Sequence, residues 1–282
     1  MKEIGKADSG EQGPDLTERE QHEVHERSAP RTEVVYEAIR KEGENELKRS
    51  APTLAYDGLT AGLSMGFSFV AEALLRSHLP NTAWRPAVVS LGYSVGFLMV
   101  VMGRQQLFTE NTLTVILPLL RNFDAFTLKR VLKVWSVVLV ANLLGALLFA
   151  LVVGHTELFK PEVRAAFGDL AREALEGGWG LTLIRGIFAG WLIALMVWML
   201  PAAESARVLV VIIMTYVVAF GGFAHIIVGS VELFYLVTTG GANWSDYFGW
   251  MLPTLLGNII GGTTLVAALG HAQVVSESEG EL

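Results

Sequence analysis

The 282-residue sequence contains no cysteine, which excludes disulfides and thiolate metal ligands but says nothing of compartment. It is also poor in charge: only 17% of residues are Asp, Glu, Lys or Arg, and nearly half of these fall in the first 50 positions. No His/Asp/Glu cluster with metal spacing, no nucleophile–base pair and no phosphate-binding loop occurs, so neither an enzyme nor a cofactor is expected. The net charge is −7, but the N-terminal arm mixes both signs, which is no nucleic-acid signature. That arm lacks an apolar core and is not expected to act as a signal peptide. What is abundant is hydrophobicity: 52% of residues are apolar and the mean hydropathy is +0.45.

The expected organisation is a charged cytoplasmic arm (1–50), a membrane domain (51–272) and a short cytoplasmic tail (273–282). Within the arm, Val34, Val35, Ala38 and Ile39 give residues 33–48 one apolar face, which predicts a short amphipathic helix. The membrane domain reads as an all-α protein with six transmembrane helices, near 56–75, 86–120, 134–153, 181–200, 208–236 and 247–269. The second and fifth are interrupted by polar or Gly-rich residues: Arg104-Gln105-Gln106-Leu107-Phe108-Thr109-Glu110-Asn111 and Gly221-Gly222-Phe223-Ala224-His225. Lipid offers no hydrogen bonds, so unwound backbone at that depth survives only where protein buries it or a cavity wets it. One interruption per half, in a three-plus-three arrangement, suggests an inverted repeat around a transport site, although no residue-level identity joins the halves.

Lys48, Arg49, Arg121, Lys129, Arg130 and Lys133 flank the first three spans, while the connection 238–245 carries no basic residue. Both termini are therefore expected in the cytoplasm. Trp84, Trp179, Trp244 and Trp250 fall near span boundaries, as interfacial anchors do. Glycines recur at four-residue spacing (Gly58, Gly62 and Gly66; Gly92 and Gly96; Gly186 and Gly190; Gly257 and Gly261), the pattern of close helix packing.

His225 stands out as the one histidine deep within an expected span, where an ionisable group tends to face a cavity. A structural histidine that plugs a helix break is the rival reading. Thr109 offers a hydroxyl at the start of a half-helix, and Phe97, Leu107 and Phe108 are bulky enough for dry constrictions or for ordinary packing. Arg185 and Glu232 lie inside expected spans on the same side and are expected to pair, with snorkelling of Arg185 to the headgroups as the competing account. Arg104 and Glu110 bracket the first interruption and are expected to neutralise one another, unless Arg104 attracts anions at the inner mouth.

At these residues the sequence resembles the formate/nitrite transporter family, over roughly residues 50 to 272. Leu107-Phe108-Thr109, Gly222-Phe223-Ala224-His225 and Leu256-Gly257-Asn258-Ile259-Ile260-Gly261-Gly262 follow its three motifs in order and spacing. The long arm and the sequence at both interruptions are most similar to its YfdC-like inner-membrane branch. The resemblance implies an aquaporin-like inverted repeat assembled as a homopentamer in the lipid bilayer of the inner membrane, each protomer with its own pore for a small anion or weak acid. It implies that His225 and Thr109 face one another at mid-depth, that Asn258 supports the His-bearing loop, and that constrictions fall at Phe97, at Leu107 with Phe108, and at Val218 with Phe220 nearby. The chain departs from the family pattern at Ala224 and Gln106, where many relatives carry an acid. It also has no clear match to a vestibule lysine, for which Arg172 and Arg185 are candidates. The expected function is passage of a small monovalent anion or its conjugate weak acid. A neutral-solute channel and a non-transporting scaffold acting through the arm are the alternatives.

Overall fold

The computed structural model describes residues 17, 19, 20 and 30–267, without the side chains at 204 and 265–267. The expected tail (273–282), the end of the sixth expected span and most of the arm before residue 30 lie outside the described residues. Contacts divide the chain into Met1–Arg31 and Thr32–Leu282. In the first unit, Thr17 Oγ1 donates to the Glu20 carboxylate at 2.7 Å. All further description concerns the second.

All regular secondary structure among its described residues is helical, with no strand. In chain order the helices are α1 Thr32–Lys48, α2 Ala51–His78, α3 Arg85–Met102 (tightened to a 3-10 turn over Ser90–Tyr93), α4 Phe108–Thr114 and α5 Ile116–Arg121. Then come α6 Ala125–His155, α7 Pro161–Ala174, α8 Trp179–Met199, α9 Arg207–Phe220, α10 Ile226–Thr238 and α11 Trp244–Ile260, which runs on into a π-helical turn over Gly261–Ala267. Local sequence sets the starts. Ser50 caps α2 with Pro in its first turn, Asp124 accepts from the amides of Phe126 and Thr127 at the head of α6, and Asn243 with Asp246 forms a capping box on α11. Four helices, α2, α3, α6 and α8, are long and apolar enough to cross a membrane, and α9 and α10 are shorter apolar helices.

The body is built on two helix pairs, α2 with α6 and α8 with α11. Each pair closes on small residues. A methyl group on Gly62 would lie 2.1 Å from the main-chain oxygen of Asn142, and one on Gly190 would lie 2.4 Å from that of Asn258. No side chain fits at either point, so glycine is what lets these backbones meet. Around this core the outward surfaces stay apolar. On α6, Val140, Leu144, Leu148 and Val152 form an exposed stripe at four-residue spacing, and Leu209, Ile213, Val217 and Phe220 form another on α9. Stripes of that length are suited to lipid or to a neighbouring subunit rather than to water.

Helix α1 is no detached surface element. Tyr36, Ile39 and neighbouring Val35 are buried against Leu113, Leu117, Ala194 and Val197. Arg121 donates to Glu37 at 3.0 Å, and Lys133 Nζ donates to the Arg49 carbonyl at 2.8 Å. Hydrogen bonds from Arg40, and then from Arg121, hold the Glu37 carboxyl below the ordinary carboxylate range.

Gly62→Ala and Gly190→Ala are each expected to lower stability by about 1–3 kcal/mol, the usual cost of overpacking. Thermal unfolding in detergent checks this against Gly249→Ala, a position whose added methyl meets nothing within 4 Å. Equal midpoints for all three variants would contradict the close approach.

Candidate functional site

Two non-helical stretches organise the interior. Helix α3 ends at Gly103, Arg104 takes a left-handed turn (φ 50°), and the chain is extended at Leu107 (φ −101°, ψ 131°) before α4 begins. Helix α9 ends at Gly221, Gly222 makes the same turn (φ 63°), and His225 is extended (φ −106°, ψ 126°) before α10 begins. The hydrogen bonds that close the preceding helices also match: Gln105 N donates to Val100 O at 3.0 Å, and Phe223 N donates to Val218 O at 3.0 Å.

Each extended stretch is held by one buried asparagine. Asn258 Oδ1 accepts from Ile226 N at 2.9 Å, while Nδ2 donates to the carbonyls of Ala224 (2.8 Å) and Gly186 (2.9 Å). Asn142 Oδ1 accepts from Phe108 N at 2.9 Å, while Nδ2 donates to the carbonyls of Gln106 (2.9 Å) and Gly58 (2.7 Å). A carboxamide carries an acceptor and two donors, so one side chain meets two main-chain groups of the unwound stretch and a carbonyl of the neighbouring helix. Asn142 is the functional residue that sequence reading missed. The signal was present: Asn142-Leu143-Leu144-Gly145 repeats Asn258-Ile259-Ile260-Gly261 in pattern, just as Gly58 and Gly62 repeat Gly186 and Gly190.

Between the clamps, Thr109 Oγ1 and His225 Nε2 lie 2.8 Å apart, and both residues are buried. Val228 N–H donates to His225 Nδ1 at 3.3 Å. With Nδ1 accepting, the neutral ring carries its proton on Nε2 and donates it to Thr109, an assignment from the bonding pattern. The Thr109 hydroxyl proton is then left for another acceptor. The Phe97 ring stands edge-on to the imidazole, with centroids 5.1 Å apart. Phe97, Leu107, Phe108 and Val218 are enclosed on all sides.

Cavities open on two sides of this plug and share no lining residue. One, of about 360 Å³, reaches His225 and is walled by Glu72, Tyr93, Arg185, Glu232 and Trp250 among others. The second, of about 320 Å³, lies beside α1 and is lined by Arg49, Arg104, Gln106, Glu110 and Arg207 among others.

Three expectations need correction. Arg185 and Glu232 share a cavity without pairing. Helix side chains lean toward the N-terminus, so Arg185, early in α8, reaches back to the Glu176 carbonyl at 2.6 Å. Arg104 and Glu110 likewise form no ion pair: Arg104 sits exposed on its left-handed turn, and Glu110 Oε1 is buried without a hydrogen-bond partner. Phe220 faces outward, 56% exposed and stacked on Tyr216, because it continues the Leu209–Ile213–Val217 stripe while Val218 points inward.

Comparison with known proteins gives one consistent result. The family model described as formate/nitrite transporter matches residues 33–272. Inner membrane protein YfdC of Escherichia coli (strain K12) is 41% identical over 245 residues, spanning 86% of this chain and 79% of that protein. Two solved structures share the fold. An FNT family ion channel has TM-score 0.74 at 16% identity, covering 85% of this chain and 98% of that one. A pentameric formate channel with formate bound has TM-score 0.67 at 20% identity, covering 80% and 98%.

Asn142→Asp and Asn258→Asp remove the amide donors while keeping the acceptor. Each is expected to destabilise by about 1–3 kcal/mol, as buried carbonyls lose their partners. Thermal unfolding in detergent measures the loss. Wild-type stability in Asn142→Asp would show that its two donated bonds do not carry the clamp.

Proposed function

The chain belongs to the formate/nitrite transporter family, a family of membrane transport proteins, and from that premise we propose that it passes a small monovalent anion or its conjugate weak acid across the inner membrane. In this reading α2, α6, α8 and α11 are uninterrupted spans, whereas α3 to α5 and α9 with α10 are two interrupted ones. The halves are inverted relative to one another, five copies assemble, each conducts separately, and both termini lie in the cytoplasm. The outward apolar stripes and the solved pentameric relative support such an assembly.

The observation that carries the reading is the Thr109–His225 hydrogen bond, set between two cavities where two clamped, non-helical stretches meet. The physical obstacle to transport is desolvation. A bare carboxylate in a dry passage costs many kcal/mol, whereas its neutral acid costs far less. Phe97, Leu107, Phe108 and Val218 make the passage dry. His225 holds Thr109 so that the hydroxyl proton faces the solute, a donor available where water is not. Gln106 and Ala224 put no carboxylate beside that point. The role of Asn258, and of Asn142 with it, is to keep the two stretches in register while solute passes.

Flux into proteoliposomes tests this. Thr109→Val and His225→Gln are expected to reduce formate flux by roughly tenfold, the weight of one hydrogen bond in a barrier, while Thr109→Ser stays within about twofold. Unchanged flux and pH dependence in His225→Gln would remove the His–Thr pair from the mechanism. Uptake of glycerol without formate would favour the neutral-solute channel instead.

A further inference from the structure

The cavity that reaches His225 has an unusual lining for an anion route. Four carboxylates, Glu72, Glu173, Glu176 and Glu232, share it with one guanidinium, Arg185. The cations nearby are committed. Arg76 forks onto Glu173 at 2.9 and 2.6 Å, and Arg185 donates to the main chain of Glu176. Among the described residues, Glu72 and Glu232 have neither a hydrogen bond nor an ion pair. Glu72 is the sharper case: only 6% of its surface is exposed, and that remainder belongs to the cavity wall. A buried carboxylate without partners is costly unless its setting has a use for it.

Their placement relative to the plug follows from helix geometry. Positions 225, 229 and 232 all line the cavity, and seven residues at helical rise set Glu232 about 10 Å from His225 along α10. Glu72 comes from α2, which packs on α10, and α7 brings Glu173 against both. The remaining walls add Tyr93 from α3 and Trp250 from α11. Solute that approaches His225 through this cavity therefore passes two unpaired carboxylates, with Arg185, already bonded to the main chain, as the one cation in the lining.

We propose that Glu72 and Glu232 act as an electrostatic filter, so that on this side the route takes solute as neutral acid and bars anions that stay ionised. The inference rests on the channel reading and specifies the form in which its solute travels. The filter involves no proton transfer to the solute. While the two carboxyls are ionised they repel a bare anion. Once acid neutralises them, that repulsion lapses.

The test compares influx of formate, a weak acid, with nitrate, ionised at every pH used, in proteoliposomes of the full chain. For wild type, nitrate flux should rise as pH is lowered. Glu72→Gln with Glu232→Gln should raise the nitrate-to-formate ratio on the order of tenfold and flatten the pH dependence of nitrate flux. An unmoved ratio and profile in the double variant overturns the filter while formate flux leaves the channel reading intact. If wild type passes neither solute at any pH, that reading fails and this one with it. Should the double variant not fold, Glu232→Gln alone and carbodiimide labelling of wild type decide. Labelling at Glu72 or Glu232 that grows with acidity supports the proposal, and no labelling at either overturns it.

Discussion

Everything in this molecule depends on how main-chain hydrogen bonds are satisfied where helix geometry lapses inside a dry interior. Residues 103–107 and 221–225 abandon the helical ladder, and each stretch runs from an exposed turn into a buried end, at Leu107 and His225, where lipid cannot serve as substitute. Asn142 and Asn258 supply the missing partners, and each also ties its stretch to a neighbouring helix through the carbonyl of Gly58 or Gly186. The glycines that bring the paired backbones together are thus part of the same device: without close approach the carboxamides could not span the gap. The Thr109–His225 contact is a consequence, since both side chains are carried by the residues these clamps immobilise.

The repeated clamp also explains where the halves differ. Leu107 and His225 occupy matching positions, each extended and each just before a new helix. One is apolar and the other carries the only ring nitrogen at the plug, so a symmetric scaffold presents an asymmetric centre. The surroundings add to this. The cavity beside α1 mixes acids with Arg49, Arg104 and Arg207, whereas the one reaching His225 is dominated by carboxylates. The electrostatic field therefore differs on the two sides of one hydrogen bond.

Much of the architecture was legible in the residues. Apolar length and the Gly-rich or polar interruptions carried the helix order, because each is local chemistry. The Thr109–His225 and Asn258 assignments came from family resemblance rather than from spacing. Asn142 was overlooked although its Asn-x-x-Gly pattern stood in plain view, since a polar residue in an apolar run reads as incidental until its partners are known. Phe220 and Val218 were not separated, although helical periodicity distinguishes them once the outward stripe is recognised.

By itself the sequence determined that this chain is a helical membrane protein with a histidine at one of two interruptions, because hydrophobic length and turn chemistry are properties of short stretches. Only the tertiary structure decided which charges meet. Arg185 turns to a main-chain carbonyl instead of Glu232, and Arg76, four residues beyond Glu72, goes to Glu173. Long side chains choose partners by reach and direction across elements far apart in the chain, and no local pattern encodes that choice. The same holds for the docking of α1, whose apolar face is visible in sequence while the surface that receives it exists only after α4, α5 and α8 have packed.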